Sequence, residues 1–191
     1  MEEVAQVPVK NNFWSELLKL VVISFVIVIP FRLYIAKPFI VNGASMDPTF
    51  ETGDYLIVDE LTYHFKDPER GSVLVFNYPK DPSKSFIKRV IGLPGEIILI
   101  NNGKVTIKSA EFPDGITLDE PYIKLPKEDS TSFTLGQDEY FVMGDNRAQS
   151  ADSRIWGAVP KERIVGRPLI RVVPLSFLPG DYTDSYQNLK N

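Results

Sequence analysis

One long apolar stretch opens the chain, and a different rhythm follows it. From Leu20 to Phe31 the sequence reads LVVISFVIVIPF with no charge. At about 1.5 Å per residue this run covers only about 18 Å of a hydrocarbon layer about 30 Å thick. The wider segment Phe13 to Ala36 is long enough, because Lys19 and Arg32 near its ends can extend their charged heads to the interfaces. Trp14 and Tyr34 stand where interfacial aromatics are expected, and a kink at Pro30 is tolerated in a membrane helix. The pattern predicts one transmembrane helix over 13–36, with 1–12 as a short N-terminal tail. A cleaved secretory signal and a buried core helix have similar hydrophobicity; the acidic start Met1-Glu2-Glu3 and the lack of a small-x-small site after the run count against the first. Lys10 and Lys19 on one side balance Arg32 and Lys37 on the other, so charge bias leaves the orientation open.

Beyond the apolar segment, β-branched and aromatic runs alternate with turn signals at spacings of about ten residues, which is β architecture. The predicted strands are Phe39–Val41, Tyr55–Glu60, Ser72–Tyr78, Phe86–Gly92, Glu96–Ile100, Lys104–Lys108, Tyr140–Gly144 and Pro168–Val173. Asn102-Gly103 supplies the positive backbone dihedrals of a tight hairpin turn between two of them. Fifteen prolines distributed through the chain argue against long soluble helices. The expectation is a mainly β domain over 37–191, one antiparallel sheet system that is coiled or barrel-like. The stretch 109–136, rich in Pro, Asp, Glu, Ser and Thr, reads as a long loop or small β excursion, and the polar tail from Asp181 to Asn191 as frayed.

Composition then removes several chemistries. A length of 191 residues allows one catalytic domain plus an appendage. The formal charge of -4 offers no basic face for nucleic acid, so no nucleic-acid partner is expected. With no cysteine, thiol nucleophiles, thiolate zinc sites and iron–sulfur clusters are excluded. The single histidine, His64, sits where a strand end runs into a turn; as a structural residue it leaves no Ser-His-Asp triad, and another base is needed.

Two segments offer a nucleophile and that base. Ser45 lies in Gly43-Ala44-Ser45-Met46-Asp47-Pro48-Thr49, where small residues before it allow close backbone approach and Pro48 stiffens the turn after it. In Ile87-Lys88-Arg89-Val90-Ile91-Gly92 a strand would place Phe86, Lys88 and Val90 on one face and Ile87, Arg89 and Ile91 on the other, flanking both charges with apolar neighbours. Burial among such neighbours lowers an amine from about 10.4 toward the 7–8 that a base needs at neutral pH. A loop serine and a solvated lysine remain the alternatives for each residue taken alone. The third segment, Gly144 to Gly157, reads GDNRAQSADSRIWG, a composition suited to a rigid hydrogen-bonded turn around a site. Asp152 can pair with Arg154, and Asp145 with Arg147 or Arg89.

Taken in order, the SM-x-PT box at Ser45, the KR-x-IGLPG box at Lys88 and the GDNR…S-x-DSR-x-WG box resemble those of bacterial type I signal peptidases. The resemblance implies a membrane-anchored serine protease that removes signal peptides after Ala-x-Ala sites. It implies Ser45 as nucleophile, Lys88 as general base, Ser150 as the hydroxyl that orients the lysine amine, and Met46 packed beside the nucleophile. Asp145, Arg89, Asp152 and Arg154 match supporting polar residues. No cofactor and no metal is implied. Gly43 stands where some members carry a serine as oxyanion donor, which leaves more of that task to the Ser45 backbone N–H. The tail 1–12 would be cytoplasmic and the domain extracytoplasmic, at the cell membrane.

Chain reach suits that role: from Ala36 to Ser45 extended chain covers no more than roughly 30 Å, which keeps the nucleophile near the membrane. Signal-peptide-bearing preproteins and the lipid bilayer are thus the expected partners, with possible proximity to the export translocon. Phe39, Ile40, Phe50 and the segment Val172 to Pro179 can form an apolar rim at the interface. Substrate would add as a strand beside Phe39–Gly43 and Phe86–Lys88. Competing readings are a self-cleaving, repressor-like Ser/Lys peptidase, which would carry a DNA-binding module in place of the apolar segment, and a non-catalytic membrane-tethered β domain that binds peptides in a secretion complex.

Overall fold

The computed structural model describes residues 13–34, 36–173, 175–178 and 186. Helix α1, Phe13–Tyr34, is followed at once by strand β1, Ala36–Ile40. Residues 1–12, assigned above to a tail, lie outside the described part. Apolar side chains of α1 such as Trp14, Leu18, Ile23, Phe25 and Val26 are exposed, with no other described element covering them. Among the described residues, which leave out the side chains at 27 and 29–34, no helix is long and apolar enough to cross a membrane.

The strands that follow are β2 Tyr55–Asp59, β3 Val73–Asn77, β4 Ser85–Gly92, β5 Ile97–Asn101, β6 Lys104–Lys108, β7 Ile116–Thr117, β8 Thr131–Thr134, β9 Glu139–Met143, β10 Val159–Pro160, β11 Ile164–Val173 and β12 Ser176–Phe177. A four-residue helix, α2 Ser153–Trp156, lies between β9 and β10. All pairings are antiparallel, but there are two sheets where one was expected. The larger runs β1-β2-β11-β3-β4-β9-β10 with β12 on β11; the smaller runs β7-β6-β5-β8. The second sheet exists because part of the 109–136 stretch, β7 and β8, flanks the β5–β6 hairpin on both sides. Asn102 and Gly103 turn that hairpin with φ of 47° and 75°, as their sequence predicts.

Curling of the larger sheet traces to β11. Its first residues pair with β3 and its later ones with β2, with register shifts between Ile164 and Gly166, Pro168 and Ile170, and Arg171 and Val173. Such bulges bend a strand and increase its twist, so one long strand turns the corner of the sheet. At the corner only glycine fits, since a Cβ on Gly166 would stand 2.2 Å from the Asp59 carbonyl oxygen. Three apolar clusters fill the interior, and the one around Val41, Met46, Phe50, Leu56, Val58 and Ile87 lies directly beneath the serine turn. Phe50 is therefore core and not rim. The tail expected to be frayed contributes Tyr186, which is buried against the smaller sheet's core.

Candidate active site

The serine turn is held from below and from the side. Gly43 enters it at φ 92°, a conformation open to glycine but strained for other residues, and Phe50 N–H closes the turn on the Met46 carbonyl at 3.0 Å. Met46 is fully buried, so its side chain pins the backbone next to Ser45 into the core. On the flank, Asn146 N–H donates to the Ser45 carbonyl at 3.1 Å, and Thr49 Oγ1 donates to Asp145 Oδ2 at 2.5 Å. Close approach of this second segment depends on Gly144. A Cβ there would lie 2.3 Å from both the Ser45 carbonyl oxygen and Ser150 Oγ.

Lys88 comes from β4, an interior strand bonded to β3 on one side and β9 on the other. Its side chain is 4% exposed, and Nζ donates to Ser45 Oγ at 2.7 Å and to the Ile87 carbonyl at 2.9 Å. Burial lowers the amine from its ordinary 10.5 to about 8, while the Asp152 and Asp145 carboxylates pull the other way. This is a lysine that gives up its proton far more readily than an ordinary one, aimed at a hydroxyl.

Behind the pair stands a buried ionic scaffold. Arg89 grips Asp145 through Nε at 2.8 Å and Nη2 at 2.5 Å, donates to the Gly71 carbonyl, and lies 4.2 Å from the centre of the Tyr122 ring. Arg154 grips Asp152 through Nε and Nη2, each at 2.8 Å, and also reaches Asp129 and the Arg147 carbonyl. Burial pushes the Asp152 carboxyl up, but Arg154 with help from Ser150 and the Gly144 N–H outweighs it and leaves the group below its ordinary value. Of the pairings open in the sequence, Asp145 takes Arg89, and Arg147 turns instead to Glu120.

The residues expected at the site are thus brought together. Ser150 is buried, but its Oγ makes no hydrogen bond of normal geometry and none to Lys88. Lys88 Nζ is already directed at Ser45 and Ile87, while Ser150 Oγ packs over the α-carbon of Gly144. His64 lies in a short turn after β2, exposed, with Nδ1 near the Glu60 carbonyl, and takes no part. Glu120 and Tyr122 carry no mark in the sequence, since they lie in the stretch read as a long loop or small β excursion, with no periodicity; Thr49 belongs to the serine box, and its tie to Asp145 is visible only in the structure.

Ser45 and Lys88 open onto a groove of about 370 Å³ lined also by Phe39, Ile40, Asn42 and Ser85 to Ile87. Two larger hollows, of about 530 and 540 Å³, lie elsewhere and contain no such nucleophile and amine pair. Chemistry, not size, selects the groove.

A family model described as signal peptidase, peptidase S26, matches residues 14–173. The chain belongs to this family. It is similar to the probable signal peptidase I-2 of Synechocystis sp., 38% identical over 172 residues that cover 86% of this chain and 76% of that one. Signal peptidase IB of Staphylococcus aureus is 30% identical over 190 residues, covering 90% of this chain and 94% of that one. A crystal structure of a signal peptidase I from Enterococcus faecalis V583 aligns at 28% identity and a TM-score of 0.45, over 53% of this chain and 97% of that one. Family and relatives together make the protein a type I signal peptidase, an enzyme of signal-peptide processing.

Proposed function

We propose that the protein is a membrane-anchored serine endopeptidase that cuts exported preproteins after a small-x-small site, with Ser45 as nucleophile and Lys88 as general base. The observation that carries this is the 2.7 Å contact between Lys88 Nζ and Ser45 Oγ, made by an amine held down to about 8.

In the neutral form, Lys88 Nζ accepts the proton of Ser45 Oγ as that oxygen attacks the scissile carbonyl carbon. The tetrahedral oxyanion is met by the backbone N–H of Ser45, which has no acceptor among the described residues. The Lys88 ammonium then passes its proton to the leaving amine, the C–N bond breaks, and the N-terminal fragment stays as an ester on Ser45. Lys88, neutral again, takes a proton from water as it attacks the ester, and returns it to Ser45 Oγ as the acid leaves. Substrate adds as a strand between Phe39–Asn42 and Ser85–Lys88. Arg89, Asp145, Asp152, Arg154 and Met46 hold the two reacting segments and touch no substrate atom; Ser150 fills the wall above Gly144.

α1 supplies the anchor in this reading, with 1–12 cytoplasmic and the domain outside. Its 22 residues rise about 33 Å, and a helix exposing apolar side chains on all sides needs a lipid or protein cover. Ile40, Tyr55 and Val173 stand in register across three strands at one end of the sheet, partly exposed, and Leu175 and Phe177 are more exposed still. This row is the apolar rim that meets the interface, close to the export translocon. Purified full-length protein should cut an Ala-x-Ala preprotein in detergent, with the mature N-terminus identified by mass spectrometry, and should resist carbonate extraction from membranes. Cleavage at unrelated positions, or release by carbonate, would refute the respective part.

A further inference from the structure

Tyr186 is the sole described residue beyond 178, and it is 4% exposed, part of the apolar cluster that joins Ile91, Phe141 and Met143 of the larger sheet to Ile98, Ile100, Val105 and Ile107 of the smaller one. The Tyr186 hydroxyl lies against both the Tyr122 hydroxyl and, at 3.2 Å, Glu120 Oε1, and Tyr122 donates to that same oxygen at 2.6 Å, so Tyr186 shares its one proton between the two oxygens. Burial first, and Glu120 second, push both phenols up, so both remain protonated donors at neutral pH.

Two routes lead from this cluster to the reacting pair. Along one, Glu120 takes both terminal nitrogens of Arg147, and Arg147 Nε donates at 3.1 Å to the carbonyl of Gly144, whose α-carbon closes on Ser45. Along the other, the Tyr122 ring carries the guanidinium of Arg89, the residue next to Lys88 on β4. Neither route uses a substrate contact.

We infer that Tyr186 is a positioning residue for the reaction: it fixes Glu120 and Tyr122, which hold the Gly144 turn and Arg89 behind the Ser45 and Lys88 pair. The inference rests on the assignment of Ser45 and Lys88 above. Losing the hydroxyl leaves Glu120 paired to Arg147 and Tyr122, so the cluster loosens and does not lose its charge balance. Looser support lets water reach Lys88, whose charged surroundings are Asp145 and Asp152 and whose bonds go to Ser45 and Ile87. Around Tyr186 itself the titratable and charged groups are Glu120, Tyr122, Arg147 and Arg89.

The test compares full-length wild type, Tyr186→Phe and Tyr186→Ala by kcat and KM on an Ala-x-Ala preprotein, and by direct titration of Lys88 through the NMR signal of its ¹³C-labelled ε-carbon. The expected result is a kcat lowered about three- to thirtyfold in Tyr186→Ala with KM unchanged. Its Lys88 midpoint should move up toward an ordinary lysine, with Tyr186→Phe between it and wild type. Wild-type kcat and an unmoved Lys88 midpoint in a variant with lowered Tm would overturn the inference, since that is what packing alone produces. Should Tyr186→Ala not fold, Tyr186→Phe decides on the same two readouts. A Ser45→Ala control that still cleaves defeats the assignment of the nucleophile instead, and the Lys88 midpoint still decides whether Tyr186 positions that residue.

Discussion

Arg89 and Asp145 face each other through two hydrogen bonds of 2.8 and 2.5 Å with side chains only 2% and 1% exposed. Arg89 follows Lys88 on β4, and Asp145 belongs to the turn that closes on Ser45, so this ion pair ties the base strand to the nucleophile segment from behind. Two neighbouring cations on one strand thereby reach opposite ends: one is paired and always charged, the other unpaired and easily neutralised.

Asp145→Ala leaves the Arg89 guanidinium buried without its carboxylate. Loss of one partner of such a pair costs about 3–5 kcal/mol, so the variant should unfold at clearly lower urea than wild type. Equilibrium denaturation measures this directly; an unchanged midpoint would show that the pair does not bear on stability.

Gly144→Ala places a Cβ against the Ser45 carbonyl and Ser150 Oγ, both at 2.3 Å, and the two segments must separate. A shift of about 1 Å in the reacting atoms is enough to lower kcat about a hundredfold. Circular dichroism should remain that of wild type while kcat falls.

The pH profile follows from the direction of the Lys88 shift. The base is the neutral amine, present above about 8 and lost as pH falls through that value. At pH 7 about one tenth of the enzyme carries it, so kcat/KM should rise about tenfold per unit below pH 8 and level off above it. A rate independent of pH between 6 and 9 would remove Lys88 from the base role.

Stability should run in the same direction. Because the folded value lies below the unfolded one, the ammonium's burial is a cost fully present below about pH 8 and relieved between about 8 and 10.5. Lys88→Met should therefore be inactive yet more stable than wild type at pH 7, by up to about 3 kcal/mol. The gain should shrink as pH rises toward 10.5. Urea denaturation at pH 7 and 10 checks both statements.

All eight strands expected from the hydrophobic pattern are present, most with ends one residue away and the Lys104–Lys108 strand unchanged. β1 and β11 begin three and four residues earlier than expected, since Pro38 and Pro168 mask the pattern there. β7, β10 and β12 have two residues each and β8 has four, too short for any alternation to register, so the hydrophobic pattern marks the β5–β6 hairpin but not the strands that flank it within the 109–136 stretch. Ser45, Lys88 and the residues of the third box were legible because their motifs are continuous in sequence. Glu120, Tyr122 and Tyr186 were not: each is an isolated polar or aromatic residue whose partners lie at least 25 residues away, except the contact between Glu120 and Tyr122.

Cleavage of an Ala-x-Ala preprotein by wild type, Ser45→Ala and Lys88→Ala, each shown to be folded, tests the Ser45 and Lys88 pair most directly. The account predicts that wild type releases the mature protein and that both variants lose activity by several orders of magnitude. Comparable cleavage by Lys88→Ala would contradict it, because among the described residues no other buried amine lies against Ser45.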